Sequence, residues 1–226
     1  MTHTMKKLIL VISFAFLTVL GVTAQDYEKS YFEAVSNVRL GYAGIASSSD
    51  SHLKGGFDLG LNLLEAGVRP YRNGQISLGT DLLLDFFNAA ESYYFLSAAH
   101  KTAIAPSMGV FNKVKSSRLE ALSFGFPLNF TNTFGEKLKV TIGAAARINL
   151  DADTYVKYIS ATEDPTTTSV AGIKSKRFSY DVHLAVSYDG FGIYASYVPM
   201  KFFENGYGPD FNFFTVGVII VNDYAD

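Results

Sequence analysis

The chain contains no cysteine, and that absence removes two readings at once. A small exported scaffold stapled by disulfides is excluded, and so is lipid attachment through an N-terminal cysteine. Excess charge of one sign is missing too. The 19 Lys and Arg face 21 Asp and Glu, for a formal net charge of −2, so nucleic acid is not an expected partner. The apolar run at the start, Leu8 to Val19, is twelve uncharged residues, short of the roughly 20 that an ordinary spanning helix needs.

That run has another meaning. Lys6 and Lys7 precede it and Gly21-Val22-Thr23-Ala24 follows it. A basic start, an apolar middle and small residues at the cut define a secretory signal peptide. Met5-Lys6-Lys7 would start it equally well. An uncleaved anchor is the rival reading, disfavoured because polar Gln25-Asp26-Tyr27-Glu28-Lys29 comes at once. The expected division is residues 1–24 as signal peptide, cut after Ala24, and 25–226 as one exported domain.

Aromatics are plentiful, 15% of the chain as 14 Tyr and 19 Phe, beside 19 Gly. That combination suits a membrane β-barrel and fits a soluble all-β protein as well. Periodicity separates the two. Phe57, Leu59, Leu61 and Leu63 alternate with Asp58, Gly60 and Asn62. Since successive strand side chains point to opposite faces, the segment has one greasy and one small-or-polar face. The scheme repeats with Ile76, Leu78, Leu82, Leu84 and Phe86 against Gln75, Ser77, Gly79, Asp81 and Asp85. It returns in Leu122 to Phe130, Leu138 to Ile148 and Phe178 to Tyr188, and Asp189-Gly190 is a two-residue hairpin turn into Phe191 to Val198. Less cleanly alternating strands at about 35–46 and 212–222 open and close the set.

Eight strands follow, with connections of alternating length. Arg69 to Gly74, Thr131 to Lys137 and Asp189-Gly190 are tight. Ser47 to Lys54, Asn88 to Ser117, Asp151 to Arg177 and Pro199 to Phe211 are expected to be long. Short turns on one side and long loops on the other predict an all-β, closed, antiparallel up-and-down transmembrane barrel, with periplasmic turns and extracellular loops. The apolar stretch Ala103 to Phe111 reads as a hairpin or plug within the long loop, and ten strands is the other count it allows. Charges fall on the small-residue face, as expected of a narrow polar interior: Arg39, Asp58, Asp81, Asp85, Lys139, Arg147 and Asp181, with His183 alternating inward beside Asp181. The opposite face carries almost no ionisable group. Only a closed ladder makes such a face viable in lipid.

Ser117-Arg118-Leu119-Glu120-Ala121, running to Pro127-Leu128-Asn129-Phe130, resembles the fourth strand of small outer-membrane barrels of the Bacteroidetes, the PorT-like families. Tyr194-Ala195-Ser196-Tyr197-Val198-Pro199-Met200-Lys201-Phe202-Phe203, then Gly206-Tyr207-Gly208-Pro209, is similar to their final hairpin. The resemblance implies an eight-stranded OmpA/OmpX-like fold in a Gram-negative outer membrane and little about activity. One departure is the C-terminus, Asn222-Asp223-Tyr224-Ala225-Asp226, where such barrels commonly end on an aromatic residue.

Enzyme chemistry finds no motif. A His/Asp/Ser set can be drawn from His183, Asp181 and Ser123, but an interior hydrogen-bonded polar set is the stronger reading. His52 and His100 fall in loops. Asp151, Asp153, Glu163 and Asp164 offer oxygen ligands for Ca²⁺ at no recognised spacing, so solvated loop charge is expected and no cofactor or metal. The expected function is a structural or interaction role at the loops or rim, without catalysis. Small-solute or porin-like transport, an accessory role in secretion, and a soluble periplasmic ligand-binding barrel are the alternatives. Expected partners are outer-membrane lipid, the barrel-assembly machinery during insertion, and an extracellular or periplasmic protein.

Overall fold

The computed structural model describes residues 30–34, 36–108, 113–159 and 165–221. The expected signal peptide, Tyr224, Glu163 and Asp164 lie outside them. The strands are β1 (Ser30–Ala34), β2 (Asn37–Ser48), β3 (Leu53–Tyr71), β4 (Gly74–Ala89), β5 (Tyr93–Ala98) and β6 (Lys101–Pro106). Then come β7 (Lys113–Phe134), β8 (Leu138–Ile159), β9 (Pro165–Val170), β10 (Phe178–Tyr188), β11 (Phe191–Val198) and β12 (Phe211–Val221). Among the described residues there is no helix.

Eight strands close an antiparallel barrel. Their order is β3-β2-β12-β11-β10-β8-β7-β4, and β4 pairs back onto β3. β1 continues the line of β2 along β3, from Ser30↔Val68 to Ala34↔Leu64. β5 and β6 form a separate two-stranded hairpin, which settles the count at eight and places the first part of the Ala103 to Phe111 stretch, up to Pro106, in a loop hairpin; its end, 109–111, lies outside the described residues.

Register gives the barrel's dimensions. From Tyr188 the pairs run to Phe191, Ile220, Val38, Leu61, Leu82, Phe124, Ile148 and then Phe178, back on the starting strand ten residues away. Ten steps of about 3.3 Å, spread over eight strands about 4.8 Å apart, tilt the strands by about 40° and give a radius of about 8 Å. That interior is filled by side chains.

The faces sort as the alternation requires. On β10, Phe178, Tyr180, Val182 and Leu184 are exposed, while Asp181 is buried. On β7, Ser117, Leu119, Ala121 and Ser123 are buried and Leu128 and Phe130 exposed. Outward positions on every barrel strand carry large apolar residues, among them Leu40, Leu59, Ile142, Ile193 and Val218.

Three local expectations change. A bulge at Leu63 breaks the β3 alternation: Asn62 faces Asp81, but Leu64 faces Thr80 and Glu65 faces Gly79. One extra residue reverses the parity of everything after it, so Glu65 turns inward and is buried. Second, the first connection is not long: β2 ends at Ser48 and β3 starts at Leu53. Third, β7 and β8 each run 22 residues, deep into segments expected as loops. Pro127 also sits within paired β7, and the β4–β7 ladder lapses opposite Phe126 and Pro127, because proline has no N–H to donate.

Candidate functional site: the barrel interior

The tight turns put the inward residues in phase, and glycines make room for the large ones. A Cβ at Gly60 would lie 2.9 Å from Arg39 Nε, and one at Gly143 would lie 2.4 Å from His183 Nε2. Long polar side chains therefore cross the lumen over strand positions that carry no side chain of their own.

At mid-height Arg39 donates to Asp81 Oδ2 at 2.5 Å, and Asn62 donates to Asp81 Oδ1 at 2.7 Å. Ser36 Oγ lies 2.9 Å from Asn62 Oδ1 and 3.0 Å from Glu65 Oε2. Tyr31 donates to the other Glu65 oxygen at 3.0 Å. Nearer the long-loop end Asp58 and Asp85 face each other directly across β3 and β4. Like charges so placed repel. Each has its own donor: Arg147 pairs with Asp85 and the Tyr194 hydroxyl donates to Asp58. The guanidinium of Arg39 lies 5.8 Å from the Tyr194 ring centre, and that of Arg147 lies 5.5 Å from the Phe213 ring. Two arginines are thus held by carboxylates and ring faces together.

His183 stands between two acceptors. Its Nδ1 is 2.9 Å from Asp181 Oδ1 and its Nε2 is 2.7 Å from Asn129 Oδ1. Both ring nitrogens thus have an oxygen within hydrogen-bond reach, which fixes the ring in place. Ser123 is not its partner: its hydroxyl donates to Asn149 at 2.6 Å. The three residues of the His/Asp/Ser drawing therefore do not join into one set: Ser123 bonds to Asn149, while Asp181 and His183 form part of a hydrogen-bonded wall.

Beyond this layer the long-loop end is apolar. Phe87, Phe95, Leu119, Phe202, Phe203, Phe211 and Phe213 pack in one buried cluster. Phe202 stacks on Phe211 with ring centres 5.2 Å apart, and Phe87 meets Phe213 edge-on at 5.0 Å. Phe202 and Phe203 come from the loop before β12 and Phe95 from β5, so loop residues cork the barrel. The loops are tied together above: Thr102 donates to the Tyr207 carbonyl at 2.8 Å, and Lys176 to that of Phe202 at 2.7 Å. At the short-turn end a cavity of about 80 Å³ remains, bordered in part by Asn37, Gln75, Thr131, Lys139 and Ser187.

All seven residues of the interior set, Arg39, Asp58, Asp81, Asp85, Arg147, Asp181 and His183, thus lie inside, four of them in two Arg–Asp pairs. Sequence reasoning missed Glu65, hidden by the bulge, and Tyr194. A signal for Tyr194 existed, because the Asp189-Gly190 turn sets Tyr188 opposite Phe191 and so puts Gly192, Tyr194 and Ser196 inward. Asp151 and Asp153 serve the backbone, accepting from Ala152 N at 2.9 Å and Gly172 N at 3.1 Å. Among the described residues no group of three or more His, Asp or Glu is placed to hold a metal ion. No protein-family model matches the chain, and a search of curated proteins finds no relative.

Proposed function

We propose that the chain is an integral outer-membrane barrel that works by binding at its long-loop end, with no catalytic activity and no open pore. One observation carries this reading: the barrel is inside-out. Paired charges fill the lumen, while the outward wall is apolar on all eight strands. Soluble monomers rarely expose contiguous apolar patches beyond a few hundred Å². The outward run from Phe178 to Tyr188 climbs about 25 Å along the axis at the tilt derived above, the height of the lipid-facing band of such barrels. The expected signal peptide and the resemblance to small Bacteroidetes barrels favour the same address, reached through the barrel-assembly machinery.

An interaction role is favoured over transport because ion pairs and the phenylalanine cork occupy the lumen. Elaboration is concentrated at one end: the upper parts of β7 and β8 with β9 form a three-stranded extension beyond the rim, and the β5–β6 hairpin packs beside it. Among the described residues β9 pairs only with β8, so its other edge is available to an extended segment of an extracellular protein. Heat-modifiable mobility of outer-membrane fractions tests the address. A boiled-versus-unboiled shift supports it, and recovery in the soluble periplasm with no shift overturns it in favour of a soluble ligand-binding barrel.

A further inference from the structure

Near the short-turn end the lumen holds a carboxylate served only by neutral groups. Glu65, turned inside by the bulge at Leu63, is 7% exposed. Its oxygens accept from the Tyr31 hydroxyl and Ser36 Oγ, each at 3.0 Å, and from the Gln75 amide at 3.5 Å. Among the described residues no lysine, arginine or histidine forms an ion pair with it. Glu33 stands directly opposite on β1, and facing like charges repel. A buried charge with no countercharge is costly even when it is hydrogen-bonded.

The cavity of about 80 Å³ lies against this carboxylate, and its lining is graded along the barrel axis. At the tilt derived above, each residue advances about 2.5 Å along the axis and a register row climbs about 3.1 Å per strand. On that scale five lining residues, Ile219, Val221, Ser187, Thr141 and Asn129, lie within about 4 Å of the level of Glu65. None of them is charged. Of the charged lining residues, Arg39, Asp81 and His183 stand about 7–8 Å higher and Lys139 about 6 Å lower. Arg39 is held by Asp81, and His183 by Asp181 and Asn129. Arg69 lies lower still, against the Tyr31 ring. Ile219 and Val221 of β12 and Ala185 of β10 give the cavity an apolar side.

We propose that this cavity binds a small primary alkylammonium ion. The ammonium donates to Glu65 and to the Ser187 and Thr141 hydroxyls, and the alkyl stem lies on Ile219, Val221 and Ala185. Ammonium on carboxylate is the strong, charge-assisted kind of hydrogen bond. A metal ion suits the site less: part of the lining is apolar, and among the described residues no group of three or more His, Asp or Glu is placed to hold one. At about 10–15 Å³ per water-sized group, the volume takes roughly half a dozen such groups, the length of a four-carbon amine. The site needs the closed barrel and not the membrane address, so either can fail while the other stands.

The test titrates butylammonium into the full-length protein in maltoside micelles and amine-free buffer, at constant ionic strength. The expected result is saturable binding at about millimolar concentration, with nuclear Overhauser cross-peaks from the butyl protons to the Ile219 and Val221 methyls. Butyrate, of opposite charge, and tetramethylammonium, which has no N–H, give none. Glu65→Gln weakens binding about tenfold or more, whereas Asp50→Asn at the long-loop end binds as the wild type does. Should Glu65→Gln fail to refold, Ser187→Phe, which fills the cavity from β10, is the variant that must lose the cross-peaks. Absence of cross-peaks to Ile219 and Val221 in the wild type, equal binding of tetramethylammonium, or unchanged affinity in the refolded variant overturns the site.

Discussion

Arg147 and Asp85 show how charge is accommodated at the centre of this cylinder. Both side chains are almost wholly buried, and their ion pair spans β8 and β4 through the lumen. Desolvating such a pair costs several kcal/mol per ion, offset only when both partners are present. Arg147→Ala leaves Asp85 facing Asp58 without a cation and is expected to lower stability by about 3–5 kcal/mol. The double replacement Arg147→Met/Asp85→Leu should be markedly milder. Urea unfolding of the two variants in lipid vesicles checks this, and equal losses would show the pair to be energetically idle. A second residue-scale prediction concerns the β5–β6 turn, where Ala99 and His100 have φ of 50° and 67°. Left-handed backbone crowds Cβ against the following carbonyl, at a cost of roughly 1–2 kcal/mol per residue. Ala99→Gly should therefore gain about 0.5–1 kcal/mol after the greater unfolded-state freedom of glycine is subtracted. Thermal unfolding measures it, and a loss would mean the turn is not strained.

Strands are the scale at which lipid and water make opposite demands. Leu184 lies near the middle of the outward run of β10 and is 45% exposed. In bilayer, Leu184→Arg should cost about 2–4 kcal/mol, whereas at a water-facing strand position the same change is nearly neutral. Folding yield and unfolding midpoint in vesicles decide between them. At this scale the sequence was largely legible. Inward and outward positions of β4, β7 and β10 follow from period two alone, because one face meets a crowded polar lumen and the other does not. β3 shows the limit. Nothing in Asn62-Leu63-Leu64-Glu65 announces an extra residue, since a bulge is set by how two strands must fit around a closed circle. The long upper parts of β7 and β8 escaped for a related reason. Their Lys, Ser and Thr residues look like loop composition, and they become strand because each supplies the other's hydrogen-bond partners beyond the rim.

For the whole molecule the question is whether anything passes through. The phenylalanine cork and the two Arg–Asp pairs lie in series along the lumen. Planar-bilayer recordings of the wild type should show no stable channel. Phe202→Ala/Phe203→Ala is expected to lower stability by several kcal/mol and still not conduct, because the ion pairs beneath it are untouched. Stable conductance steps in the wild type would overturn the interaction role and restore transport. By itself the sequence determined the all-β class, the alternation of faces on β4, β7 and β10 and the places of the tight turns, since each depends only on neighbours along the chain and on turn chemistry. Tertiary structure alone decided the count of eight, which polar groups pair across the lumen (Tyr194 with Asp58 among them), that Glu65 joins them, and that loop phenylalanines close the barrel. Those contacts join residues up to 136 positions apart, as with Tyr194 and Asp58. They exist only once eight tilted strands share one circumference, and no local pattern of residues encodes that geometry.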